Sequence, residues 1–245
     1  MLDGTRHRVA SDHTRQVFSL FGCIGAAAYG AAFVKSKTID GLIDEFTAST
    51  SLGDHPDIDK VAKALGVFFS KHLKEDAEER GVDLPGSGKW PLGFLVAGYD
   101  AAGIGHLREV RIPSAAPVAT KVNTSAGGAV FRGQTEVIRR LLDGIDTKAL
   151  GDVALPEDIR GSIANLAFQM NYPVTLQDAV DLVCFCIRLT VETQRFTDGT
   201  YQSPGSIPTC GGRTQVLAVS KGGTHWIQRP RVAVAGAHAA LPDGA

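Results

Sequence analysis

An α+β fold, antiparallel sheets covered by helices, is what this sequence predicts, and three observations carry the prediction. Turn signals of hairpin type join neighbouring strand-like runs. Helical patterns come in pairs between those hairpins rather than alternating one by one with strands, which argues against a doubly wound parallel sheet. With 44% apolar and 21% charged residues among 245, the composition is that of a globular chain. Such a length can bury a full core as one domain. That domain is read as residues 1–229, followed by a flexible tail at 230–245 that is rich in Ala, Gly and Pro.

The charge balance narrows the function classes. Lys and Arg number 25 against 26 Asp and Glu, a net charge of −1, so no global basic field exists to hold nucleic acid or an anionic membrane. Cys23, Cys184, Cys186 and Cys210 are too few and scattered for a disulfide scaffold, and a cytoplasmic location is expected. The uncharged run Ser19 to Val34 after Arg6, Arg8 and Arg15 imitates a signal peptide. It is too short to span a bilayer as a helix. Asp3 and Asp12 spoil its basic flank, and Gly22, Gly25 and Gly30 suit a buried strand between turns better.

Asp3-Gly4 is a hairpin-turn dipeptide, and Arg8 to Leu20 has extended character. Such a turn needs a strand on both sides, so the chain reads as starting in the middle of a sheet. Phe21 to Tyr29, continuous and apolar, is predicted as the next, fully buried strand. Ser36 is the expected cap of a helix whose Ile39, Leu42, Ile43 and Phe46 recur at i, i+3, i+4, i+7. After the polar linker Ser49 to Pro56, a second helix runs from Asp57 to Arg80. Val61, Leu65, Phe68, Phe69 and Leu73 form its apolar face, and Gly81 stops it.

Leu92 to Tyr99 and His106 to Ile112 form a predicted hairpin across Asp100 to Gly105. A third helix opens near Gln134 with Val137, Ile138, Leu141 and Leu142 inward, and a short one from Pro156 to near Met170. Leu176 to Phe196 is the clearest helix, with Thr175 and Asp178 close to a capping box. Its apolar stripe is wide enough to predict burial between two layers. Thr214 to Ser220 and His225 to Arg229 read as a last hairpin across Lys221-Gly222-Gly223.

Familiar chemical motifs fail one by one. Gly86-Ser87-Gly88-Lys89 follows a helix and is followed by Trp90 where a phosphate loop needs Ser or Thr, so it reads as a surface turn. The seven histidines show no paired metal-ligand spacing, and no metal or cofactor is expected. Cys184 and Cys186 stand at i and i+2 of a helix and point apart. No G-x-S-x-G elbow is present.

Several segments in order carry a resemblance. Ser11 to Gly30 is similar to a strand pair of the form K-x-F-x-I…G-x-A-x-x-G, and Gly93-Phe-Leu-Val-Ala-Gly-Tyr-Asp100 to a hydrophobic-G-x-D strand. Phe131-Arg-Gly-Gln134 opens a helix, the long helix leads into Arg195-Phe-Thr-Asp198, and Cys210 to Val219 with Gly223-Thr-His-Trp226 closes the series. Together they resemble the proteasome β-subunit type of N-terminal-nucleophile hydrolase, in its bacterial proteasome-like branch. The resemblance implies a four-layer α-β-β-α sandwich apparently lacking its first strand. It also implies threonine-type peptide-bond hydrolysis, a peptide or unfolded-protein substrate, and a homo-oligomer of ring type.

In that family an N-terminal Thr, Ser or Cys attacks the carbonyl with its own α-amine as base, helped by a lysine. The resemblance sets that lysine at Gln16, which carries no charge, with Arg15 beside it. Arg15 takes the place only if the strand register shifts, because adjacent strand residues face opposite ways. The supporting serine becomes Gln134 after Gly133, and the later supporting positions fall at Asp198 and Cys210. Asp198 equally suits a turn before Gly199. Gly4-Thr5 resembles a self-processing junction but lies on the wrong arm of the hairpin, so the nucleophile is not identified. Arg15 and Asp198 are the candidate support residues of a peptidase whose nucleophile strand lies upstream. The alternative is a non-catalytic subunit that uses the sandwich for assembly.

Overall fold

The structure, a computed structural model, describes residues 14–53, 56–84, 91–113, 120–121, 128–145, 156–165, 167, 175–197, 199–200, 203–204 and 210–229. The Asp3-Gly4 turn, Thr5, the Gly86 to Lys89 turn, Asp198 and the 230–245 tail lie outside these residues. Within them the fold is mixed α+β with antiparallel sheets and five helices.

Strand β1 (Val17–Leu20) turns into β2 (Ile24–Gly30). The turn falls inside the run read as one strand from Phe21. Phe21 and Gly22 have φ of 51° and 72°, and the Cys23 N–H donates to the Leu20 carbonyl at 3.3 Å. Positive φ at both central residues is the geometry that matches the twist of paired strands. An apolar run hid this turn because Phe is unusual at such a position.

A miniature hairpin follows, β3 (Phe33–Val34) and β4 (Lys37–Thr38), turning through Lys35 and Ser36 at φ 52° and 59°. Ser36 is therefore a turn residue. The cap of α1 (Ile39–Ser49) is Thr38, whose hydroxyl accepts from the Gly41 N–H at 3.1 Å. Helix α2 (Ile58–Arg80) starts as expected, with Asp57 accepting from the N–H groups of Asp59 and Lys60 at 2.9 and 3.1 Å. Gly81 ends it in the left-handed conformation at φ 63°.

Strands β5 (Leu92–Tyr99), β6 (Gly105–Ile112) and β7 (Thr120–Lys121) complete a five-stranded antiparallel sheet of order β1-β2-β5-β6-β7. Alternation gives it two faces. Phe18, Leu20, Ile24, Ala26, Leu92, Phe94, Val96, Val110 and Ile112 face α1 and α2 and meet Leu42, Phe46, Val61, Leu65 and Phe69 in the core. Each fully buried large side chain there contributes roughly 2 kcal/mol. Phe69 and Phe94 bring their ring centroids to 4.7 Å. Arg108 on the same face donates from Nε and Nη2 to the two carboxylate oxygens of Asp59 at the start of α2.

The opposite face carries Gly25, Ala27, Tyr29, Gly93, Leu95, Ala97, Glu109 and Arg111. On its Gly25 end lies the hairpin of β10 (Val216–Ser220) and β11 (Gly223–Gln228), numbered after the short pair β8 (Gly199–Thr200) and β9 (Ser203–Pro204). Gly25 permits this stacking, since a Cβ there would stand 2.7 Å from Val219 Cγ2. Thr224 anchors the hairpin tip, its N–H donating to the Gly22 carbonyl at 3.0 Å and its hydroxyl lying 2.6 Å from Ser19 Oγ.

Helices α3 (Glu136–Leu142), α4 (Glu157–Ala164) and α5 (Leu176–Phe196) follow in the order predicted. In α3 only Ile138 is buried, while Val137, Leu141 and Leu142 are half-buried. Helix α4 ends at Ala164, short of Met170. Helix α5 begins under its Thr175 cap, which accepts from the Asp178 N–H at 3.1 Å. Its stripe is not buried between layers: Leu176 is 62% exposed, Phe185 51% and Val183 43%, with only Cys186 and Thr190 buried. Among the described residues α5 packs against α3, and the rest of the stripe (Ala179, Val180, Leu182, Ile187, Leu189 and Val191) is half-buried.

Candidate functional site

The chain's entry into β1 and its exit from β2 lie side by side, and a shallow depression forms between them. Thr14, Arg15 and Gln16 line one side; Ala28, Tyr29, Gly30, Ala31 and Ala32 line the other, with Ile39 at the base. The second wall is shaped by close backbone approach. Gly30, at φ 96°, lies where a Cβ would collide with the Pro91 carbonyl, and the Ala31 N–H donates to that carbonyl at 2.7 Å.

The first wall is irregular in a way that decides the place of Arg15. The side-chain oxygen of Gln215 accepts from the N–H groups of both Gln16 and Val17, at 3.0 and 3.1 Å, and its amide donates to the Thr14 carbonyl at 2.9 Å. Consecutive N–H groups of a regular strand point to opposite sides, so the backbone is distorted just before β1. The pairing with β2 nonetheless keeps its register, since the Gln16 carbonyl accepts from the Ala28 N–H at 2.8 Å next to the Val17–Ala27 pair. It is the long Arg15 side chain that reaches the helix side, its guanidinium 5.2 Å from the centre of the Phe18 ring. There Arg15 bonds two carboxylates of α1, Asp40 and, at 2.6 Å, Asp44. Gln16 remains exposed at the depression's edge. The structure therefore places Arg15 at the depression but engages its charge with α1. Asp198, its proposed companion, is outside the described residues.

Beneath the second wall lies a polar cluster that sequence reasoning did not single out. Tyr29 and Glu109 share the sheet face opposite α1 and α2, and the Tyr29 hydroxyl donates to Glu109 Oε1 at 2.7 Å. Arg132 donates to both oxygens of Glu109 at 2.7 and 2.6 Å, and Arg111 does so at 2.9 and 3.1 Å. The Glu109 side chain is 2% exposed. A carboxylate so buried stays ionised only because it is paired. Arg132 first, then Arg111 and Tyr29, hold its pKa down at about 2 despite desolvation. Tyr29 is pushed the other way, to about 12, by burial and by the adjacent Glu109 charge.

Two glycines make room for this cluster. Register aligns Tyr29, Gly93 and Arg111 across β2, β5 and β6, so the Tyr29 ring must cross Gly93 to reach Glu109. A Cβ on Gly93 would overlap that ring. Gly133, at φ 81°, sits against Tyr29 Cβ, where its own Cβ would stand at 3.7 Å. The Phe131-Arg132-Gly133-Gln134 segment thus docks on the sheet through Arg132 and Gly133, and Gln134 is bonded by Gln194 of α5 at 3.4 Å. Gln194 also accepts from the Cys210 N–H at 3.0 Å, drawing two of the supporting positions named by resemblance around one α5 side chain. The signal for the cluster was the alternation Glu109-x-Arg111 within β6, which sets opposite charges on one face of the strand.

Reactive groups are sparse among the described residues. No Ser or Thr hydroxyl there bonds a Lys or His side chain. Burial pushes the thiols of Cys23, Cys186 and Cys210 up, away from the nucleophilic thiolate. No group of three His, Cys, Asp or Glu is placed to hold a metal ion, and no helix is long and apolar enough to cross a membrane, again among the described residues. No protein-family model and no curated protein matches the chain.

Proposed function

We propose that this chain is a proteasome-type subunit of the N-terminal-nucleophile kind. Its fold would be a four-layer α-β-β-α sandwich, acting in the cytoplasm on bonds of peptides or unfolded proteins within a homo-oligomeric ring. The observation that carries the reading is the stacking of β10–β11 on the sheet face opposite α1 and α2. It brings together three of the segments on which the resemblance rests, through Ser19 with Thr224, Gly25 with Val219, and Gln215 with the start of β1. A peptide at the shallow depression would meet the small side chains of Ala28, Ala31 and Ala32, since the Ala28 and Ala31 N–H groups are already bonded to Gln16 and Pro91.

A second reading, a non-catalytic subunit working in assembly, is favoured by Arg15. Its guanidinium is bound by Asp40 and Asp44 and its neighbour at the lysine position is the uncharged Gln16, so neither supplies a free cation at the depression. The exposed apolar residues of α5 support assembly in either reading.

Protein purified from its native host decides between them by intact mass, N-terminal sequencing, light scattering and hydrolysis of fluorogenic peptides. A mature chain beginning with Thr, Ser or Cys that hydrolyses peptide supports the peptidase. A ring without hydrolysis and without such an N-terminus supports the assembly subunit. A monomer that hydrolyses nothing overturns both.

A further inference from the structure

The Glu109 cluster has a position that a purely stabilising ion pair would not need. It joins two parts of the molecule that the sheet ladder does not connect: the β2 end that walls the depression, and the Arg132-Gly133 turn that opens α3. Three separate features converge on Tyr29. Its hydroxyl is fixed by Glu109, its ring lies in the space left by Gly93, and its Cβ rests against Gly133. Tyr29 is also the last residue but one of β2, immediately before Gly30 at the wall. Fixing this side chain fixes the backbone on either side of it.

We infer that Glu109 is a positioning residue: through the Tyr29 hydroxyl and the Arg132 guanidinium it couples the depression wall at Ala28 to Ala31 to the start of α3. This inference rests on the peptide-site reading for its purpose, but the coupling itself does not. Loss of the Tyr29 hydroxyl leaves Glu109 still held by two arginines, so the fold is retained while the link to β2 is cut. A peptide pressing on the wall shifts Tyr29, and Glu109 relays the shift to Arg132 and the α3 turn. Sites bind well when the shell behind them is rigid, and this cluster is the shell behind that wall.

The test is amide hydrogen exchange by NMR on the full chain, comparing wild type, Tyr29→Phe and Glu109→Gln. Two reporters are defined by hydrogen bonds, the Ala31 N–H to Pro91 and the Arg139 N–H to Thr135 in α3. Tyr29→Phe is expected to speed exchange at Ala31 about tenfold while amides in the β5–β6 ladder stay protected, and Glu109→Gln to speed both Ala31 and Arg139. An Ala31 amide unmoved in Tyr29→Phe, or a uniform rise across the sheet as in simple destabilisation, overturns the inference. The same samples are titrated with a fluorescein-labelled extended alanine-rich nonapeptide, for which Tyr29→Phe is expected to weaken binding three- to tenfold. Absence of binding by the wild type overturns the peptide reading of the depression and leaves the exchange result to decide the coupling. Equal affinity in wild type and Tyr29→Phe overturns the positioning role.

Discussion

The Tyr29 hydroxyl reaches Glu109 across the bare backbone of Gly93, at 2.7 Å, because the residue between them in the sheet has no side chain. That geometry makes Gly93 the most exacting position on this face. Gly93→Ala puts a methyl group into the ring and is expected to destabilise by about 3 kcal/mol, the cost of overpacking a site whose occupant cannot swing away. Adding Tyr29→Ala removes the obstacle, so urea denaturation of the four proteins of this cycle should show a coupling of about 1–3 kcal/mol. Additive losses would mean that the ring does not cross Gly93.

Glu109 makes stability depend on acid. Its folded pKa lies at about 2, below the ordinary carboxylate value, so the folded state stays ionised where the unfolded chain takes up a proton. The stabilisation, about 3 kcal/mol, is complete above the ordinary value and is lost as pH falls from there through about 2. Thermal melts of Glu109→Gln should show a flatter decline between pH 5 and pH 2, in line with those figures. An unchanged decline would place the acid sensitivity elsewhere.

Tyr29 sets the matching alkaline limit. Its pKa of about 12 exceeds that of an ordinary phenol, so the unfolded chain releases this proton first and stability falls as pH rises from the ordinary value through about 12. Ultraviolet titration should show a late phenol transition that is lost in Tyr29→Phe. Its persistence in that variant would assign the late phenol to another tyrosine.

Arg15 and Gln215 divide the labour at the start of β1 differently from what charge alone implies. Arg15→Ala removes partly solvated ion pairs with α1 and is expected to cost less than about 1 kcal/mol, shrinking further in high salt. Gln215→Ala leaves two adjacent N–H groups and a carbonyl without their side-chain partner and is expected to cost about 1–2 kcal/mol with little salt dependence. Chemical denaturation at low and high ionic strength ranks the two, and the reverse order would contradict the arrangement around Gln16 and Val17.

Much of the helical structure was legible residue by residue. Asp57, Gly81 and Thr175 act as the local signals predict, because capping satisfies backbone groups within a few residues of the cap. The Leu92 to Ile112 hairpin was equally readable, its alternation and turn residues lying within one stretch. Phe21-Gly22 was not, since a turn flanked by apolar residues on both sides leaves no mark in composition. Helix α5 misled for a related reason: the width of an apolar stripe says that a surface seeks cover, not whether anything in the chain supplies it.

The candidate site divides along the same line. By itself the sequence determined the α+β class, the coarse order of strand groups and helices, and the sheet strands that bury Phe18, Phe94 and Ile112, all consequences of periodicity over short distances. Tertiary structure alone decided that Arg15 turns toward Asp40 and Asp44, that the Gln215 side chain serves as a strand partner, and that Tyr29, Glu109, Arg111 and Arg132 meet. These pairings join residues from separate strands and loops. Their energies come from burial, which takes a carboxylate out of water and makes each donor beside it count, and burial exists only once the strands are side by side.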